Sequence, residues 1–129
     1  MTTKSAVISE KAPKAIGPYS QGIDAGGLVF VSGQIPAGVD GALVSGGVAE
    51  QTERALQNVV AVLLAAGLTP KDVVKTTVFM TDLGKFADMN EVYAKHFDPP
   101  YPARATVQVA ALPKSAAVEI EAVAVRRTA

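Results

Sequence analysis

The chain has no cysteine and no tryptophan, a single histidine, and no apolar run long enough to cross a bilayer. Without cysteine there is no disulfide, no thiolate nucleophile and no sulfur-ligated metal. One histidine, His96, cannot build a histidine-based metal cluster, and no Ser-His-Asp arrangement can be argued around it. Near the C-terminal end of a predicted helix it reads as a surface residue, where partial positive charge is favoured. The longest apolar stretch, residues 59–68, falls short of a membrane span. An excess of either charge is missing too. Twelve Lys and Arg balance 12 Asp and Glu, so no field draws in nucleic acid or an anionic membrane surface. There is no P-loop and no GxGxxG, and carboxylates such as Asp82 and Asp88 are too scattered to form a metal cluster. Met1-Thr2-Thr3-Lys4-Ser5 lacks the apolar core of a secretory signal. The expectation that follows is a cytoplasmic protein.

What is present is a chain that can form a core. Its 129 residues are 49% hydrophobic, which suits one domain over 1–129. Gly26-Gly27, between residues 21–25 and 28–32, predicts a hairpin. The continuous run Leu28-Val29-Phe30-Val31 predicts a strand buried on both faces. Asp40-Gly41 marks a second turn. Residues 48–66 predict a helix with Thr52, Leu56, Val59, Leu63 and Ala66 on its apolar stripe. Glu50, Glu53, Arg54, Gln57 and Asn58 make its polar face, and the two glutamates suit the positive end of the helix dipole. Gly67 can end the helix in a left-handed conformation. Residues 73–80 are rich in β-branched side chains and predict a strand. Residues 86–97 predict a second helix, with Phe86, Met89, Tyr93 and Phe97 on one stripe. The proline-rich segment 98–102 is an extended connection. Strands at 103–109 and 117–125 close the chain about a turn at Leu112-Pro113-Lys114. The order is an α+β pattern, with two helices on one face of a mixed sheet.

The last two strands carry the informative polar residues. Alternation puts Arg104, Thr106 and Gln108 on one face of the first, and Glu119 and Glu121 on one face of the second. Paired as a hairpin, these strands would set Thr106 roughly opposite Glu119 and Arg104 roughly opposite Glu121. A guanidinium can hold a carboxylate by two parallel hydrogen bonds, and a carboxylate can take a proton from water. A plain cross-strand ion pair on a solvated face fits the same pattern. Tyr19 in Gly17-Pro18-Tyr19-Ser20, Ser32 at the end of the apolar strand and Asn90 in the second helix are weaker candidates. Each also reads as an ordinary turn or surface residue.

These signals fall together in one order. Gly17-Pro18-Tyr19-Ser20-Gln21-Gly22, Ser32-Gly33-Gln34-Ile35-Pro36, Gln57-Asn58-Val59, Val74-Lys75-Thr76-Thr77-Val78-Phe79 and Phe86-Ala87-Asp88-Met89-Asn90 are followed by Pro102-Ala103-Arg104-Ala105-Thr106-Val107, Leu112-Pro113-Lys114 and Glu119-Ile120-Glu121-Ala122. In that order and spacing, over nearly its whole length, the chain resembles the RidA (YjgF/UK114) family. The resemblance implies a chorismate-mutase-like fold, a mixed sheet of about six strands with two helices on one face. It also implies a homotrimer with ligand clefts between neighbouring subunits, and no metal or organic cofactor. The implied reaction is hydrolysis of 2-aminoacrylate and related 2-imino acids to 2-keto acids and ammonia. By the same resemblance Arg104 binds the substrate carboxylate and Glu119 positions water. Tyr19, Ser32 and Asn90 line the cleft, and backbone groups at Thr106 face the ligand. Glu121 matches a recurrent glutamate with no catalytic role assigned. Many members carry cysteine at the Thr106 position, so thiol-dependent chemistry is not expected here. Retention of Arg104 favours the deaminase subgroup. The competing readings are a non-catalytic binder of keto acids, an endoribonuclease-type relative, and a chorismate mutase sharing the fold.

Overall fold

A computed structural model describes residues 3–127. Its centre is a six-stranded sheet in the order β1-β2-β3-β6-β4-β5. The strands are β1 (Ser5–Val7), β2 (Gly22–Asp24), β3 (Leu28–Gln34), β4 (Val73–Met80), β5 (Ala103–Gln108) and β6 (Val118–Val125). Two helices, α1 (Val48–Ala65) and α2 (Phe86–Ala94), pack on one face. The sheet is mixed: β4 and β5 run parallel, and every other pair is antiparallel.

The predicted elements form for the reasons their residues supply. Gly26 takes φ 96° in the β2–β3 turn, where Asp24 accepts from its N–H at 2.9 Å. Helix α1 starts at Gly47, whose N–H donates to the Glu50 carboxylate at 2.8 Å, and Gly67 follows it at φ 78°. Its stripe of Thr52, Leu56, Val59 and Leu63 is fully buried against Val29, Val31, Ile120 and Ala122 of the sheet.

Four expectations need correction. Leu28-Val29-Phe30-Val31 is not buried on both faces: Val29 and Val31 are buried, while Leu28 and Phe30 are 40% and 44% exposed. The run is continuous because the second face is also apolar, although none of the described residues covers it. Asn58 is not on the polar face of α1 but fully buried, where its amide donates to the carbonyls of Ile35 and Ala37 at 3.1 and 2.9 Å. It holds the 35–44 loop to the helix. Helix α2 ends at Ala94, short of Phe97. Lys95 and His96 bond back to the carbonyls three residues earlier, which tightens the chain into a turn ahead of Pro99. The largest correction concerns the final strands. They are not a hairpin, because β4 lies between them, paired to β5 on one side and β6 on the other. Alternation identifies faces, not neighbours, so it could not reveal the inserted strand. The short β1 was not foreseen at all.

The turn before β6 holds two side-chain-bearing residues in the left-handed region, Lys114 at φ 57° and Ser115 at φ 60°. That region costs a non-glycine residue roughly 1–2 kcal/mol. Glycine would relieve it but lose roughly 0.5–1 kcal/mol of extra unfolded freedom. Ser115 is exposed and gives up no packing. Ser115→Gly is therefore expected to raise stability by about 0.5–1 kcal/mol in urea unfolding. A lower midpoint would show that the loop is not strained there.

Candidate active site

The site candidates divide between two faces of the sheet. On the open face, away from the helices, β6 presents Glu119 opposite Phe79 and Glu121 opposite Thr77. Glu119 lines a cavity of about 590 Å³ with Ile16, Tyr19, Ser32, Gly33 and Lys114. A Cβ on Gly33 would overlap the Glu119 carboxylate, so the glycine is what lets this side chain lie against β3. Burial is the main cause that raises the Glu119 pKa above the usual carboxylate range, and the neighbouring charge of Glu121 adds to it. Among the described residues Glu119 has no salt-bridge partner.

The loop that carries Tyr19 is tied down from several sides. Gly17 takes φ 125°, and the Tyr19 N–H donates to its carbonyl at 2.9 Å. The buried Gln21 side chain accepts from the Ser9 N–H at 2.7 Å and donates to the Pro13 carbonyl at 2.8 Å. Ser32 fixes the loop to the sheet: its hydroxyl donates to the Ser20 carbonyl at 2.5 Å. The Ser32 proton is thus committed, and toward a ligand its oxygen can only accept. Tyr19 itself remains half-exposed beside the cavity.

Arg104 lies on the other face. It is in register with Thr76 of β4, and the Thr76 hydroxyl meets the Tyr93 hydroxyl of α2 at 2.7 Å, which marks this as the helix side. The guanidinium carbon lies over the Tyr93 ring at 4.6 Å from its centroid and over the Phe86 ring at 5.5 Å, a cation–π arrangement. Tyr93 is held in turn by Phe97, with ring centroids 4.8 Å apart. Burial raises the Tyr93 pKa, against the opposing effects of the Thr76 hydrogen bond and the Arg104 charge, so the ring stays neutral below Arg104. A second hollow of about 460 Å³ is lined by Arg104, Tyr93, Tyr101 and Asn90. Asn90 is therefore not a plain solvent-facing residue. Thr106, two residues along the same face, has a buried hydroxyl oxygen with no hydrogen-bond partner among the described residues.

The expected Arg-Glu patch is thus absent from a single chain. Tyr19, Ser32 and Glu119 come together on the open face, and Asn90, Arg104 and Thr106 on the helix face. His96 belongs to neither half and is not the surface residue expected. It is 17% exposed, and its Nε2 meets the Glu53 carboxylate at 2.8 Å, joining α1 to the turn after α2. That bond is the main cause that holds the Glu53 pKa down, with the Gln57 hydrogen bond adding to it against the cost of burial.

Comparison with known proteins follows the same residues. The model of the Endoribonuclease L-PSP family matches residues 9–126. The chain belongs to this family. The Endoribonuclease L-PSP family is the RidA/YjgF group that the sequence motifs resemble. Protein DfrA of Myxococcus xanthus is 54% identical over 127 residues, 95% of each chain. The 2-iminobutanoate/2-iminopropanoate deaminase of Salmonella typhimurium is 48% identical over 124 residues, 94% of this chain and 97% of the relative. The crystal structure of Escherichia coli TdcF with bound serine superposes with a TM-score of 0.89 at 47% identity, over 95% of this chain and 99% of that one. The Endoribonuclease L-PSP fold is therefore the fold of this chain, as the motifs implied.

Three site residues escaped the sequence. Phe86 and Tyr93 carry an ordinary core stripe, and only the β4–β5 register sets Arg104 above them. Gly33 carries no signal until Glu119 is placed beside it.

Proposed function

We propose that this protein is an enamine and imine deaminase that hydrolyses 2-aminoacrylate and related 2-imino acids to 2-keto acids and ammonia. One observation carries the reading. The chain offers an arginine held over two aromatic rings and a half-buried carboxylate of raised pKa, and neither has a salt-bridge partner among the described residues. The Salmonella typhimurium relative named as a 2-iminobutanoate/2-iminopropanoate deaminase supports it. Arg104 holds the substrate carboxylate through its outer N–H groups. Glu119 takes a proton from water as the oxygen adds to the imine carbon. The protonated carboxyl returns that proton to the imine nitrogen, giving the carbinolamine R₂C(OH)NH₂. Glu119 then carries the hydroxyl proton to nitrogen as the C–N bond breaks, so R₂C=NH and H₂O give R₂C=O and NH₃. No covalent nucleophile is needed, and positioning carries much of the barrier reduction.

Because the two halves lie on opposite faces, one copy supplies Arg104 and its neighbour supplies Glu119. The exposed apolar face of Leu28, Phe30 and Val107 gives the copies a surface to share. Unlike half-sites that join head to tail form a ring where the rotation closes, and the family resemblance supports a homotrimeric ring. Co-expression of the Arg104→Ala and Glu119→Gln chains in equal amounts is expected to recover about one quarter of wild-type activity, since a site needs both intact partners in the right order. No recovery in mixed assemblies would place both residues in one chain's site.

The test of the reaction itself is a coupled assay. An amino-acid oxidase generates imines, and ketone release is followed with and without the protein. A rate equal to that in buffer, with keto acids still bound, would favour the non-catalytic binder. The endoribonuclease reading has no overall excess of positive charge to support it, given 12 positive against 12 negative side chains.

A further inference from the structure

The cavity beside Glu119 does not end at Tyr19. Ile16, Tyr19, Gly33, Ile35 and Lys114 also line an adjoining hollow of about 310 Å³, whose lining continues to Lys14, Asp40 and Gly41. The two form one groove on the open face. Its middle is apolar, from Ile16 and Ile35, and Lys114 is the cation common to both parts.

Three independent features single out Lys114. Its backbone and that of Ser115 are held in the left-handed region, where neither residue is at ease. Strain of this kind persists where a site needs it. Its ammonium donates to the Gly41 carbonyl at 2.5 Å, a tie across 73 positions of sequence that fixes a flexible side chain against the Asp40-Gly41 turn. That bond uses one of three ammonium protons and leaves two for a ligand. Finally, the charge does not serve the catalytic base. Among the described residues Lys114 makes no salt bridge with Glu119. Asp40, the acidic residue nearby, already accepts from the Ala42 N–H at 3.0 Å. With Lys14 and Lys114 against Asp40, this end of the groove has an excess of positive charge.

We propose that this groove receives the substrate side chain, and that Lys114 selects 2-imino acids whose side chain ends in a second carboxylate. The inference rests on the imine-hydrolysis reading and names a substrate class for it. Apolar walls accept the methylene carbons, and the ammonium meets the distal anion by a charge-assisted hydrogen bond. A small imino acid such as 2-iminopropanoate would leave that end to water.

The experiment compares imines freshly generated from glutamate and from norleucine, acidic and neutral side chains of similar length. The readout is the ratio of their kcat/KM values in wild type, Lys114→Met and Lys114→Arg. Calorimetric binding of 2-oxoglutarate and 2-oxohexanoate provides a second arm that needs no turnover. Lys114→Met is expected to lower the acidic-to-neutral ratio about tenfold and 2-oxoglutarate affinity by a similar factor, as loss of one hydrogen bond between charged groups implies. Lys114→Arg should keep most of both. A ratio and a 2-oxoglutarate affinity within twofold of wild type in Lys114→Met would overturn the proposal. If wild type hydrolyses neither imine, the deaminase reading fails, and the calorimetry still decides whether Lys114 binds a distal carboxylate.

Discussion

Arg104→Ala is expected to lower kcat/KM for a neutral 2-imino acid by roughly 30-fold to several thousand-fold, since removing one partner of a desolvated, hydrogen-bonded charge pair costs about 2–5 kcal/mol. The expectation follows from what the guanidinium does and does not touch. It lies on Tyr93 and Phe86, at 4.6 and 5.5 Å, and makes no salt bridge within the described residues. With no salt bridge among the described residues, its N–H groups, which match a carboxylate, are left for a ligand. Much of the loss should fall in KM, because the carboxylate is bound both before and during reaction. Arg104→Lys keeps the charge but loses the fork and the flat face, so it should fall between wild type and alanine. Secondary structure and assembly size should survive in both variants, since Arg104 sits on the edge strand β5 outside the main core. Steady-state kinetics on an oxidase-generated imine decide the matter. Unchanged kcat/KM in Arg104→Ala would remove Arg104 from the site.

The fold was legible where one physical cause dominates. The apolar stripe of α1, the glycine at the β2–β3 turn and the β-branched β4 each state their structure locally, and each forms as read. The sequence was silent where the answer depends on a partner distant along the chain. Nothing in Ala103–Gln108 says that it pairs with β4 rather than β6, because alternation records which residues share a face and not which strand lies beside them. Asn58 reads as polar and therefore outward, yet its amide is buried and donates to the carbonyls of Ile35 and Ala37 in a loop distant along the chain. The turn at Leu112-Pro113-Lys114 was legible, but the left-handed backbone of Lys114 and Ser115 was not, because glycine usually marks it. Alternation did assign shared faces correctly, Arg104 with Thr106 and Glu119 with Glu121. Their joint placement failed because the sheet separates the groups. The same error carries information: if both groups act on one substrate, a second copy must complete the site. The exposed apolar residues of β3 and β5 point the same way, since the run that looked doubly buried in sequence has one face open in the isolated chain.

Glu119→Gln should show activity and stability moving in opposite directions. As general base Glu119 must be ionised, and its loss is expected to lower kcat by roughly 10²–10⁴ with little change in KM. Glutamine keeps the shape that fits against Gly33, so the cavity should persist. In wild type, burial and then Glu121 raise the carboxyl above its usual range. Activity should therefore fall as pH drops through that raised value, with its acid limb above the range of ordinary carboxylates. Glu121→Gln removes the second cause and should move the limb to lower pH. The stability sign follows from the same shift. A carboxyl whose folded pKa lies above its unfolded pKa binds its proton more tightly in the folded state. Its favourable contribution is present below the unfolded pKa and disappears as pH rises through the folded pKa. At neutral pH the ionised, half-buried group opposes folding, so Glu119→Gln should raise Tm there and change it little in acid. A site that holds an uncompensated charge for chemistry gives up stability to do so. Paired pH–rate and pH–melting profiles of wild type, Glu119→Gln and Glu121→Gln test both halves of the argument. If Glu119→Gln retains wild-type kcat, the base is another group. If it instead lowers Tm at neutral pH, the carboxylate serves the fold rather than the reaction.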